Sequence, residues 1–138
     1  FMRIGVDIDS LQDADRMKMQ AIFVDAESLV FGFSISGQTG PVLYLLKEAH
    51  NRGAKTVFIT TRDRNCYREF CDEVVLTAYS KFLETGSTVS PQFPLLLMID
   101  AIYNEYVSQD RNRKMALHGD TQRALYTRVD APGRLSET

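Results

Sequence analysis

The chain is poor in the residues that build metal, redox or disulfide chemistry. It has two cysteines, two histidines and no tryptophan among 138 residues. Cys66 and Cys71 are separated by four residues, which fits neither a redox C-x-x-C nor a zinc knuckle, and His50 and His118 lie far from them in sequence. Two reduced thiols are therefore expected, in keeping with a cytoplasmic location. No apolar run approaches the ~20 residues a membrane span needs, and no signal-peptide pattern is present. Net charge is −2, so the chain has no overall electrostatic footprint for nucleic acid. Arg111, Arg113, Lys114, Arg123 and Arg128 make the C-terminal helix locally basic, but Asp110 and Asp120 among them point to a solvated face. Repeats and low-complexity linkers are lacking too. The length suits one domain, read as residues 1–129, with a frayed tail over residues 130–138.

What the chain does have is an abrupt junction. An apolar run over residues 29–33 stops in Ser34-Ile35-Ser36-Gly37-Gln38-Thr39-Gly40-Pro41, and a helical stripe of Val42, Leu45, Leu46 and Ala49 follows. Proline suits a first helical turn and Gly53 suits the position after the helix end, so residues 41–52 are expected to be helical. The loop thus joins a buried strand to a helix N-terminus, where free backbone N–H groups and the helix dipole favour an anion. Ser34, Ser36 and Thr39 add hydroxyl donors, and Gly37 admits close backbone approach. The plainer reading is that a hydroxyl merely caps the helix. One residue would do that, whereas three hydroxyls and two glycines occupy the seven positions 34–40. With no Lys or Arg in the loop, a phosphate held by neutral donors is the expected occupant.

Further apolar segments alternate with helical ones. Strands are expected at residues 3–8, 29–33, 56–60 and 73–77. Helices are expected at residues 14–24 (burying Met17, Ala21 and Val24), 41–52, about 63–69 and 93–107. This alternation describes an α/β protein with a parallel sheet, whose ligands sit beyond the carboxyl ends of the strands, where the 34–39 loop falls. The helix over residues 93–107 is apolar nearly all round, through Leu95, Leu96, Leu97, Met98, Ile99, Ile102, Tyr103, Tyr106 and Val107. One stripe can cover the sheet, and a second copy of the chain is the expected cover for the rest.

Two catalytic patterns come close and fall short. Gly32-Phe33-Ser34-Ile35-Ser36 departs by one residue from the G-x-S-x-G nucleophile elbow, and no Ser-His-Asp order accompanies it. Val6-Asp7-Ile8-Asp9 and a later strand ending at Thr60 look like two motifs of a haloacid-dehalogenase-like phosphatase. In that chemistry Asp7 would be nucleophile, Asp9 acid/base and Thr60 a phosphate ligand, with Mg²⁺. The lysine and acidic pair that such an enzyme also needs have no match after residues 74–76.

Residues 33–39, the following helix, Gly53-Ala54-Lys55 and Cys71-Asp72-Glu73-Val74-Val75-Leu76-Thr77 together resemble a SIS (sugar isomerase) domain. Ser87-Thr88-Val89-Ser90-Pro91-Gln92-Phe93, running into an apolar helix that carries Asp100, is similar to the effector domain of RpiR-type bacterial transcriptional regulators. The similarity extends over about residues 2–126. It implies a three-layer αβα sandwich of the flavodoxin-like kind that binds a phosphorylated sugar, needs no cofactor or metal, and has no catalytic residues. By resemblance the phosphate falls to Ser34, Ser36, Gly37, Gln38 and Thr39, and the sugar to Glu84, Ser87 and Ser90. The family's regulators dimerise through SIS helices and reach DNA through a helix-turn-helix domain that has no counterpart in this sequence.

The resemblance also implies a missing first strand. Phe1-Met2-Arg3-Ile4-Gly5 is similar to the end of the family's first helix, which places the opening strand and its glycine-serine loop outside the sequence. Three functions follow as expectations: a sugar-phosphate sensor, an aldose–ketose isomerase with Glu84 as its base, and the Mg²⁺-dependent phosphatase.

Overall fold

A computed structural model describes residues 1–78, 90 and 92–127. Strands β1 (Leu29–Ser34), β2 (Lys55–Thr60) and β3 (Glu73–Leu76) form a parallel sheet in the order β1-β2-β3, accompanied by helices α1 (Ala14–Gln20), α2 (Gly40–Asn51), α3 (Phe93–Ser108) and α4 (Arg111–Tyr126). The class is α/β, as expected. The chain divides into two compact units, Ser10–Ile102 and Phe1–Asp9 with Tyr103–Thr138.

In the first unit the core lies between the sheet and α1 and α2. The register places Gly32 beside Phe58 and Phe58 beside Val74. Phe58 and Val74 pack with Met17, Ala21, Val42, Leu45, Leu46, Tyr67 and Cys71. Gly32 is needed here, because a Cβ on it would lie 2.6 Å from Leu46 Cδ1 and 3.0 Å from Val42 Cγ1. Its lack of a side chain lets α2 lie close on β1. Strand alternation sends Phe31, Phe33 and Val57 to the opposite face together with the fully buried Ile59. The sheet is thus apolar on both sides, as a parallel sheet requires. β1 is an outer strand of this sheet among the described residues.

Helix ends follow their local chemistry. Asp13 caps α1, its carboxylate accepting from the N–H groups of Asp15 and Arg16. Pro41 lies in the first turn of α2, and Gly53 follows its C-terminus with φ +84°. α1 is shorter than expected, ending at Gln20; Met17 and Ala21 are buried as expected, whereas Val24 is only half-buried. Residues 65–69 wind as a 3-10 helix that buries Tyr67.

In the second unit, Met2–Ile4 is a 3-10 helix that Gly5 closes with φ +84°. The strand expected at residues 3–8 is absent, and residues 6–10 have no regular structure. A left-handed glycine ends the helix before the Val6/Ile8 alternation, and alternation without a partner strand makes no ladder. The phosphatase reading, which requires Asp7 at a strand end, loses its support with that strand. Thr121 Oγ1 donates to the Arg3 carbonyl at 3.1 Å, and Phe1 meets Tyr103 edge-on at 5.3 Å. Arg111, Arg113 and Arg123 on α4 are exposed, in keeping with a solvated face. Lys114 is not: it is buried, donates to the Tyr106 carbonyl and stands 3.5 Å from the centre of the Tyr106 ring. Residues 130–138 and Arg128 lie outside the described residues, as do Glu84 and Ser87.

α3 has no buried residue, and Phe93, Leu96 and Leu97 are each more than half exposed. No helix of the described residues is long and apolar enough to cross a membrane.

Candidate functional site

The 34–39 loop leaves the carboxyl end of β1 and enters α2. Ser34 is the last residue of β1, opposite Thr60 of β2. Its side chain is buried, and its hydroxyl is 2.8 Å from that of Thr39, which closes the loop across its base. Gly37 N–H donates to the Ser34 carbonyl at 3.2 Å, making a turn that φ +67° at Gly37 completes. Ser36, Gln38 and Thr39 are exposed, and Ser36 Oγ accepts the Gln38 N–H at 3.2 Å. The loop therefore brings together Ser34, Ser36, Gly37, Gln38 and Thr39.

Thr39 occupies the N-cap position of α2, yet its side chain makes no capping hydrogen bond. Its hydroxyl is spent on Ser34 instead. The first-turn N–H groups of a twelve-residue helix are thus left without the cap that an N-terminal threonine ordinarily provides. The plainer reading of the hydroxyls, that they cap the helix, does not hold for the one residue placed to do so. Together with the helix dipole, this is the arrangement suited to an oxyanion. The buried, engaged hydroxyl of Ser34 also disposes of the nucleophile-elbow alternative, which needs that oxygen exposed at a sharp turn.

The loop is held from the segment that follows β2. Thr61 donates to the Ile35 carbonyl through its hydroxyl at 2.7 Å and its N–H at 3.4 Å. The buried Tyr67 donates its hydroxyl to the Gly37 carbonyl at 2.8 Å. Burial raises the pKa of that hydroxyl, partly offset by the positive charge of Arg64, so it stays protonated and able to donate. Sequence reasoning assigned no role to Thr61 or Tyr67. The available signal was the polar Thr60-Thr61 pair at the end of the neighbouring parallel strand, which necessarily lies beside the end of β1.

Ser90 lies before α3, exposed; its hydroxyl accepts from Gln92 N–H at 3.2 Å and its carbonyl from Phe93 N–H at 3.0 Å. These bonds run into the start of α3 rather than to the loop. At the other end of the sheet, Asp72 accepts from Thr56 N–H at 2.8 Å, from the Thr56 hydroxyl at 2.9 Å and from Lys55 Nζ at 3.1 Å. These donors hold its carboxyl well below the usual carboxylate range, with the Thr56 backbone bond foremost. Cys71 beside it is a packed thiol that burial pushes up to about 11, which leaves it unreactive at neutral pH. A shallow cavity of about 250 Å³ lies on the outer side of α2 between Tyr44, Lys47, Glu48 and Asn51. It does not involve the loop.

A family model for the SIS domain matches residues 1–101. An uncharacterized HTH-type transcriptional regulator of Clostridium perfringens is 28% identical over 110 residues, covering 79% of this chain and 39% of that protein. Another, from Haemophilus influenzae, is 28% identical over 102 residues, covering 74% of this chain and 35% of that one. The chain thus spans well under half the length of these relatives. Among solved structures, the Vibrio vulnificus NanR protein complexed with ManNAc-6P superposes with a TM-score of 0.75 at 20% identity, over 94% of this chain and 49% of that one. The sugar isomerase domain of an RpiR transcription factor from Sphaerobacter thermophilus gives 0.69 at 16% identity, over 88% and 66%. These likenesses share the fold. With the family match reaching through the sheet, the hydroxyl loop and α2, this chain belongs to the SIS-domain family.

Proposed function

We propose that this chain is the sugar-phosphate-sensing effector domain of a transcriptional regulator, with the phosphate taken by the 34–39 loop. The observation that carries this reading is the uncapped N-terminus of α2, where Thr39 turns to Ser34 and leaves the helix's positive end to an outside anion. Ser36, Gln38 and Thr39 line its exposed side. Glu84, Ser87 and Ser90 are proposed to close on the sugar. The SIS family and the regulator relatives support the same assignment. No covalent step is required of such a module, and it acts in the cytoplasm without a cofactor.

The mechanism is a shift of population. A ligand that binds one arrangement of two copies better than another moves the equilibrium by its difference in affinity. The proposed contact between copies is α3, whose Leu96 and Leu97 are exposed. The consequence is read out by a helix-turn-helix domain elsewhere in the whole protein.

Thermal melts against a panel of sugar phosphates, each paired with its unphosphorylated sugar, test this reading. N-acetylmannosamine 6-phosphate, the ligand of the NanR structure, heads the panel. A phosphorylated member present at a hundred times its Kd stabilises by about 2.7 kcal/mol, while its sugar alone does not. Equal shifts with both partners, or none across the panel, overturn the reading. Chemical turnover of a sugar phosphate would replace sensor by isomerase.

A further inference from the structure

The geometry points to Tyr67 as the positioning residue of the anion loop: it holds the Gly37 carbonyl inward so that the Gln38 N–H faces the phosphate. The inference rests on the phosphosugar reading above and adds to it the group that sets the loop's backbone. A trans peptide directs its C=O and N–H to opposite sides, and the described chain has no cis bond. Where a carbonyl is fixed, the N–H of the next residue is aimed. Tyr67 takes the Gly37 carbonyl at 2.8 Å, which turns the Gln38 N–H away from the core to the exposed side, where the Ser36 hydroxyl accepts it at 3.2 Å and an incoming anion would take that hydroxyl's place. Thr61 does the same two peptides earlier, taking the Ile35 carbonyl at 2.7 Å and so turning the Ser36 N–H away. Both holds come from the segment after β2, so the Ser36 and Gln38 N–H groups are turned from that flank as a two-donor nest for an anion, while the Gly37 N–H between them is bonded to the Ser34 carbonyl. A carbonyl free to swing into the nest would instead oppose a phosphate with its own negative end.

Tyr67 is built for this task. Its ring is fixed edge-on against Phe58 at 4.9 Å and Phe70 at 6.3 Å, and the residue is 2% exposed. The hydroxyl therefore has one place to reach. Gly37 lies so close over it that a Cβ there would be 2.3 Å from Tyr67 Oη and 3.1 Å from Thr60 Oγ1. Loop and phenol are fitted to each other, and the only polar atom of a side chain otherwise packed in the core is spent on the loop. Ring packing alone would be served by phenylalanine.

Tyr67→Phe keeps the ring and deletes the hold. Amide spectra of the ¹⁵N-labelled chain, titrated with inorganic phosphate and with hexose 6-phosphates against chloride at matched ionic strength, read the consequence at single peptides. In the wild type the Ser36 and Gln38 amides move with phosphate. In Tyr67→Phe affinity falls roughly tenfold, and the Gln38 amide loses its response while Ser36 keeps part of its own. Thr61→Val, which leaves only the longer N–H bond to Ile35, gives the converse, weakening the Ser36 response and retaining that of Gln38. A merely structural role would lower the melting temperature without this exchange between two amides. Wild-type binding that Tyr67→Phe retains in full, with Gln38 still responding, overturns the positioning role alone. Wild-type loop amides indifferent to every phosphate overturn both this role and the phosphosugar reading beneath it.

Discussion

Ser36 is the residue on which the loop's chemistry can be weighed. It is exposed, and its hydroxyl accepts only a local bond from Gln38. Removing it therefore leaves no buried group unsatisfied. Ser36→Ala should keep the melting temperature within a degree or two and weaken sugar-phosphate binding by about 1–3 kcal/mol, the worth of a hydrogen bond to a charged oxyanion. Isothermal calorimetry against the tightest-binding phosphate of the panel decides it. Ser34 is a contrasting case, since it is buried and committed to Thr39. Its loss would act through loop shape and stability as much as through the ligand. Both serines look alike in a motif. The difference arises because the strand ends between them: Ser34 is the buried last residue of β1, and the turn that follows leaves Ser36 in solvent.

At the scale of elements, the two ends of the sheet are secured differently. The carboxyl end carries the loop. At the opposite end Asp72, just before β3, clamps the start of β2 through Thr56 and Lys55. The carboxyl of Asp72 titrates lower in the folded chain than in the unfolded one, so protons bind preferentially to the unfolded state. The clamp's contribution is complete above the ordinary carboxylate range and fades as pH falls through that range toward the folded value. Urea midpoints of wild type and Asp72→Asn should be well separated at pH 6 and begin to draw together only below about pH 4, with much of the separation still present at pH 3. His50 Nδ1, 3.8 Å from Asp72, adds a cation only where it is protonated. The elements themselves were legible wherever periodicity was strong. The Val42, Leu45, Leu46 and Ala49 stripe is buried in full, and β1, β2 and β3 stand within a residue of their expected bounds. Residues 3–8 misled because Val6 and Ile8 alternate with aspartates, a local pattern that carries no information about a partner strand. Tyr67 was illegible for the same kind of reason: its bond to Gly37 spans thirty residues of chain, and an aromatic in a short helix reads as packing alone.

At the scale of the whole molecule the outstanding debt is apolar surface. α3 was expected to exceed what its own chain could cover, and it indeed buries none of its residues, with Leu96 and Leu97 about 60% exposed. Each leucine removed from water is worth about 1.5–3 kcal/mol, enough for a modest patch to sustain a dimer. Leu97→Glu should therefore convert a sedimenting dimer into a monomer, or weaken it at least tenfold, with an unchanged far-ultraviolet spectrum. A wild type that sediments as a monomer at all accessible concentrations would rule out this surface as a contact between copies.

The border position of β1 has a consequence of its own for handling the protein. Leu29-Val30-Phe31-Gly32-Phe33 has high β propensity, no charge and no proline, and it lies where the described sheet stops. Uncovered backbone of that composition is a template on which identical segments stack into fibrils, since neither repulsion nor a missing donor interrupts the growing ladder. The ribbon that delivers the hydroxyls to their place is thus also where concentrated or heated solutions of this chain would begin to gel.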